Sequence, residues 1–247
     1  MPKEADVQIP AEQAALADSA LDDNNAHIRI TAVQKLTDQT ALTKVAKHSG
    51  DLNVRIAAVE RLTDQAALAR VALFDNDAYV RIAAVKRLTD QPALANVALD
   101  DKDAHLRSAA LEKLTDQTEI ASVAFYSKEK ALRITAVQKL TDQAALANVA
   151  LEDNDVSVRI AAVKKLTEQE TLTRVALRDR DAYVRLAAVQ KLTDQEVLAK
   201  VAVNDKDAYV RGTAVKNLID REVLAKVAEK ARDLNVRKAA EEKLANQ

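Results

Sequence analysis

The sequence predicts an all-α fold, an α-solenoid in which one short unit is copied along the chain, and three observations carry that prediction. An arginine returns every 26 residues without a slip, at Arg29, Arg55, Arg81, Arg107, Arg133, Arg159, Arg185, Arg211 and Arg237. A fixed period of this size marks supersecondary units that stack on their neighbours. Glycine occurs 2 times and proline 3 times, too rarely to punctuate a many-stranded fold, while the abundant Ala, Leu, Lys, Gln and Glu favour helix. Hydrophobic residues make up 48% of the chain but aromatic ones only 2%. The core must therefore be built from small aliphatic side chains, which suits closely packed helices.

One unit shows how the elements arise. Asp77 stands where a helix N-cap belongs, able to accept from the exposed N–H groups of the first turn. From there Val80, Ala84 and Leu88, flanked by Ile82 and Val85, give an apolar stripe at helical period, the first helix. It should stop near Thr89-Asp90-Gln91, because Thr and Asp cap helices and Pro92 is tolerated in a first turn. A second helix carries Leu94, Val97 and Ala98. In two later units the same turn, Thr167-Glu168-Gln169-Glu170 and Thr193-Asp194-Gln195-Glu196, matches a capping box headed by the threonine. Both helices fall short of the roughly 12–15 residues at which isolated helices become marginally stable, so each must bury its stripe against a neighbouring unit.

First-helix caps at Asn25, Asp51, Asp77, Asp103, Glu129, Asp155, Asp181, Asp207 and Asp233 divide the chain into eight two-helix repeats over residues 25–232. Residues 1–24 are expected to hold a half repeat, with one second-type helix at about Ala11 to Leu21. Residues 233–247 are expected to form a capping helix. Ser19 replaces a recurrent valine, and Lys238 and Glu241 replace recurrent aliphatic residues. Polar residues on such faces suit terminal repeats, so the whole chain reads as one complete solenoid domain.

Charged residues are 30% of the chain and nearly balanced, with a formal net charge of −1, which removes any global attraction to nucleic acid or anionic membranes. There is no cysteine, hence no disulfide, thiolate nucleophile or cysteine-ligated zinc. No stretch approaches the roughly 20 apolar residues of a membrane span, and the N-terminus lacks a signal-peptide core, so a cytoplasmic protein is expected.

The tract Asp77-Ala78-Tyr79-Val80-Arg81-Ile82-Ala83-Ala84-Val85 resembles the D-x-x-V-R-x-x-A signature of HEAT-like repeats, and it recurs nine times over nearly the whole chain. The unit is shorter than most HEAT units, and in this it is similar to leucine-rich variant repeats. The resemblance implies a right-handed superhelix with the first helices outside and the second helices lining the concave side. HEAT-like arrays include scaffolds, transport adaptors, bilin lyase components and a few DNA glycosylases, so the resemblance speaks for the fold and not for one activity.

The residues that look reactive are mostly shared by every unit. Each arginine of the column can pair with its N-cap aspartate or with an acid of the next repeat, which makes it architectural. A second basic column, Lys35, Arg61, Arg87, Lys113, Lys139, Lys165 and Lys191, ends the first helices, and Asp38, Asp64, Asp90, Asp116, Asp142 and Asp194 begin the second ones. Helix dipoles account for both. Asp-x-Asp pairs such as Asp75 with Asp77 lack the glycine and bidentate glutamate of a calcium loop. His27, His48 and His105 cannot converge on one metal. No nucleophile with its base and no phosphate-cradling loop can be assembled, so no catalytic residue, cofactor or metal is expected.

Positions that fail to repeat are the candidates for binding. The freest ends the second helices, as His48, Phe74, Asp100, Tyr126, Glu152, Arg178, Asn204 and Lys230. Four residues earlier on the same face stand Lys44, Arg70, Asn96, Ser122, Asn148, Arg174, Lys200 and Lys226. A rival stripe starts the first helices, with His27, Tyr79, His105, Tyr183 and Tyr209. The sequence is read as a non-enzymatic scaffold binding a protein or peptide along the second-helix face. Phe74, Tyr126, Arg174 and Arg178 are the leading contacts, with Arg70, Asp100 and Lys200 beside them. Two alternatives remain: a nucleic-acid-binding array using the lysines and arginines of that face, and a designed or consensus scaffold without a natural ligand. The unbroken register favours the last; Gly50, Gly212 and the irregular Ser127 to Leu132 segment argue against it.

Overall fold

The computed structural model describes residues 9–246. Residues 1–8 of the expected N-terminal half repeat, and residue 247, lie outside the described residues. Eighteen α-helices and no strand occur among the described residues. The first helices are α2 (Ala26–Lys35), α4 (Leu52–Arg61), α6 (Ala78–Arg87), α8 (Ala104–Lys113), α10 (Lys130–Lys139), α12 (Val156–Lys165), α14 (Ala182–Val189), α16 (Ala208–Asn217) and α18 (Leu234–Ala245). The second helices are α1 (Ala11–Asp22), α3 (Gln39–His48), α5 (Gln65–Phe74), α7 (Gln91–Asp100), α9 (Gln117–Tyr126), α11 (Gln143–Glu152), α13 (Gln169–Arg178), α15 (Gln195–Asn204) and α17 (Arg221–Lys230).

Two ten-residue helices and two three-residue turns fill the 26-residue period, as in α6, residues 88–90, α7 and residues 101–103. The second helices are regular α-helices like the first. N-cap carboxylates hold the first helices as the sequence indicates; Asp51 and Asp207, for example, accept from backbone N–H groups two and three residues on. Glu129 occupies the same position in α10 without a side-chain cap bond.

Two details of the turn differ from the sequence reading. The second helices are capped by the residue after the threonine, Asp38, Asp64, Asp90, Asp142 and Asp194, with Glu168 standing at that place in α13 and Asp220, after Ile219, capping α17. A threonine-headed capping box therefore does not form, because Glu170 and Glu196 fall one position too early to reach back to the cap. Leu88 likewise is not the last residue of α6 but its extended C-cap. It is still fully buried, so it fills the core while it ends the helix.

The chain divides into two compact units, residues 1–119 and 120–247. In the first unit α4 packs on α6 more extensively than α3 packs on α5; in the second, α10, α12 and α14 pack more extensively than α11, α13 and α15. These first helices carry successive small residues, Ala57-Ala58, Ala83-Ala84, Ala161-Ala162 and Ala187-Ala188. At these junctions the first helices approach each other more closely than the second helices do, whereas α5 with α7 and α6 with α8 pack alike. The core throughout is Ala, Val, Leu and Ile, with Val80, Ala84, Val85, Leu88, Leu94, Val97 and Ala98 as the pattern of one repeat.

The arginine column is a frame between repeats. Arg81, Arg159 and Arg185 are only 2–3% exposed. Each forms a bidentate pair with an aspartate 20 residues on: Arg159 Nε donates to Asp179 Oδ2 at 2.8 Å and Nη2 to Oδ1 at 3.1 Å. Nη1 reaches back to the turn before its own helix, donating to the carbonyls of Asp153 and Asn154. Arg81 and Arg185 do the same with Asp101 and Asp205, and Arg133 pairs in this way with Asp153. One guanidinium thus fixes the turns at both ends of its repeat.

The partner position is not always aspartate. It is Ser49 after Arg29, and Arg29 turns instead to the N-cap Asp51 at 2.5 Å. It is Ala231 after Arg211, which pairs with the N-cap Asp233 and leaves its Nε buried without a partner. These two guanidiniums hold the Asp51 and Asp233 carboxyls below their ordinary 3.8, helped by backbone N–H groups of the first turn.

Two further ladders tie repeat to repeat. The glutamine that opens α3 accepts from the next repeat's turn, Gln39 Oε1 from Thr63 N–H at 2.7 Å and Asp64 N–H at 3.3 Å; Gln65, Gln91 and Gln195, which open α5, α7 and α15, and Gln13 in the first turn of α1 do the same. The second basic column donates to carbonyls at the end of the preceding first helix, Arg61 to Leu36 and Lys113 to Val85. These cations sit at a helix C-terminus, but it is also the neighbour's. Gly212 lies inside α16 with open space where a Cβ would point.

Removing a buried charge partner costs far more than the pair contributes, so Arg159→Ala should lose about 3–5 kcal/mol in urea denaturation; an unchanged midpoint would remove the arginine from the frame. Ala231→Asp should raise stability by about 1 kcal/mol by giving Arg211 Nε an acceptor, read as a higher melting temperature. Because the Asp51 and Asp233 carboxyls are depressed when folded, the unfolded chain binds more protons near pH 4. Their contribution is complete above the ordinary 3.8 and is lost as pH falls through the folded values. Thermal melts should accordingly be level from about pH 7 to 5 and fall below about pH 4.

Candidate functional site

The frame absorbs most polar groups that the repeats share. In the Asp-x-Asp turns one carboxylate caps the helix and the other receives the arginine: Asp101 Oδ1 accepts from both Asp103 N–H and Arg81, while Asp103 accepts from His105 N–H. Neither carboxylate is left to bind a cation. No group of three metal-ligating side chains occurs among the described residues.

What remains outside the frame is aromatic and basic. All six aromatic residues of the chain expose their rings, and none serves the core. Tyr79, Tyr183 and Tyr209 sit at the second position of α6, α14 and α16, where their backbone N–H groups satisfy the N-cap aspartates and their rings point to solvent. His27 and His105 hold the same place in α2 and α8. This first-helix stripe is real as a register, with Tyr183 and Tyr209 on successive first helices of one unit.

On the second-helix face, Phe74 ends α5 with 76% of its surface exposed and Tyr126 ends α9 with 75% exposed. Tyr126 lies beside Phe125, ring centroids 6.3 Å apart and tilted by 54°. The second unit carries Arg174 and Arg178 one turn apart on α13 and Lys200 on α15, all exposed and none in an ion pair among the described residues. In the first unit Asp100 ends α7, exposed.

The structure brings Phe74 and Arg70 together with residues that the sequence reading placed less prominently. Where α3 and α5 spread, a groove of about 1020 Å³ opens, lined by Lys44, Lys47 and His48 from one helix and Arg70, Val71 and Phe74 from the other. Asp100 is not part of it. Lys47 was not singled out from the sequence. Its signal was nevertheless present, since the same position is Leu73, Leu99, Phe125, Leu151, Leu177 and Val203 in six other repeats, with Glu229 in the last.

No family model matches the chain. No curated protein matches it. Among solved structures it is similar to YibA of Escherichia coli, at 18% identity, with 99% of this chain and 100% of that one covered and a TM-score of 0.40. It is also similar to an archaeal HEAT-like repeats protein from Thermococcus onnurineus NA1, at 13% identity, with 96% and 97% covered and a TM-score of 0.26. The helices themselves, paired in units of 26 residues with the arginine in register, fit a HEAT-like repeat protein.

Proposed function

We propose that this chain is a cytoplasmic, non-enzymatic scaffold that binds a protein or peptide on its second-helix face, with Phe74, Tyr126, Arg174 and Arg178 as contacts. The observation that supports it is the placement of the aromatics: a chain with six such residues spends none of them on its core. Exposing a ring to water forgoes the burial of a large apolar area. Aromatic and arginine side chains are also the types that dominate binding energy at protein interfaces. A regular helical array offers an extended surface on which such residues recur.

A second reading, nucleic-acid binding, draws on the unpaired Arg174, Arg178 and Lys200. It differs in its salt dependence, since phosphate contacts weaken steeply as salt rises. The near-neutral chain and the exposed rings favour the protein partner.

A selection from displayed random dodecapeptides distinguishes the two. Sequences should be enriched on the wild-type protein, and the double variant Phe74→Ala/Tyr126→Ala should bind them about tenfold or more weakly, the loss expected when interface anchors are truncated. No enrichment, or enrichment equal on both proteins, would count against the scaffold reading. Retention of an oligonucleotide that disappears with added salt would support the alternative.

A further inference from the structure

The groove between α3 and α5 is chemically unlike the equivalent surfaces of the other repeats. The end of α3 reads Lys47-His48 where α5 reads Leu73-Phe74 and α15 reads Val203-Asn204. A cation in a last turn suits the helix dipole. That is not a sufficient reason here, because α7 ends in Asp100 and α11 in Glu152. Lys47 and His48 are exposed and make no side-chain hydrogen bond or ion pair among the described residues.

Charge in the groove is one-sided. Five basic side chains, Lys44, Lys47, His48, Arg55 and Arg70, line it against the single carboxylate of Asp75. That carboxylate is already taken by Arg55 Nε at 3.2 Å. Lys44 reaches out to Asp18 on α1 and Arg70 has an interaction of its own, which leaves the Lys47 ammonium, with the His48 imidazole beside it, facing no partner among the described residues. Ala67 and Val71 give the groove an apolar floor, and Phe74 stands exposed at its end.

We propose that this groove binds an acidic linear segment of a partner protein, its carboxylates held by Lys47 and His48 and an apolar side chain resting on Phe74. The inference rests on the scaffold reading above and names the chemistry of the partner. A ten-residue helix is about 15 Å long, and an extended chain rises about 3.3 Å per residue, so a segment of about five residues fills the groove. A polynucleotide would need cations spaced along a track, whereas these cluster at one end over an apolar floor.

The test uses fluorescence anisotropy with labelled hexapeptide pools composed of Asp, Glu, Leu and Phe. A matched pool carries Asn and Gln in place of the acids, and a single-stranded oligonucleotide serves as a third probe. The acidic pool should bind about tenfold more tightly than the neutral one. Lys47→Leu/His48→Asn should cancel that preference, and Phe74→Ala should weaken binding of the acidic pool by about tenfold. The first two substitutions install residues that other repeats carry at these positions, and circular dichroism melts would show the fold retained. Equal binding of the two pools overturns the proposal, as does an acidic pool whose binding ignores all three substitutions, or an oligonucleotide bound in preference to every peptide. Acidic peptides lost instead on Arg174→Glu/Arg178→Glu would refute the groove and keep the scaffold. Failure of both these pools and the displayed dodecapeptides would remove both.

Discussion

The structure depends on one interaction, the contact of a buried arginine with the aspartate that ends its own repeat and with the turn that ends the preceding one. A buried guanidinium is tolerated only when its donors are satisfied. Arg159 meets that condition with the two oxygens of Asp179 and the carbonyls of Asp153 and Asn154. Those acceptors lie in the turns on either side of the repeat. A shift of one repeat against its neighbour would therefore strand a buried charge, and stacking is held to a single register by polar geometry. The aliphatic core supplies the apolar driving force but has little power to set register, because Ala, Val and Leu repeat too uniformly along the chain.

The turns follow from the same constraint. Three residues suffice between helices without a positive-φ residue among the described residues, and backbone groups of the turn are met by side chains of a neighbouring repeat. Gln39 supplies the acceptor for two N–H groups of the following turn, and Arg61 the donor for the carbonyl of Leu36. These bonds span fewer than 30 residues, so the frame closes locally, repeat by repeat. Such topology favours rapid folding that propagates from any nucleus.

Much of this was legible in the sequence because it repeats. The Asp N-caps, the helix pairs and the arginine period follow from spacing alone. The threonine-headed capping box was misplaced because Thr and Asp adjoin and both can cap; burial of Leu88 beyond the helix end settled the position at Asp90. The glutamine ladder recurs at the same period, yet a glutamine has no intrinsic role in a turn, and its function emerges only when the next repeat lies above it. The groove between α3 and α5 was invisible for a different reason. It depends on how far two helices spread, which no single repeat encodes, although Lys47, in a place that is apolar in six other repeats, was its trace.

The places where the frame is relaxed coincide with the places where the surface changes. Aspartate is lost from the arginine's partner position at Ser49, Ser127 and Ala231. The residues just before them are Lys47-His48, Phe125-Tyr126 and Glu229-Lys230, whereas elsewhere the first of each pair is Leu or Val. At Ser49 the substitution obliges Arg29 to borrow an N-cap, and at Ala231 it leaves Arg211 Nε unpaired. Drift under weak constraint would alter exposed positions and spare the frame, because exposed changes are nearly neutral while frame changes cost stability. Here buried and exposed residues depart from the pattern together, within three consecutive positions. Two of these segments carry Lys47 and His48 of the α3 groove and the aromatic pair of α9. On the scaffold reading that coincidence has a physical sense: a repeat that carries a binding surface departs from its pattern there, and the frame beside it is relaxed with it.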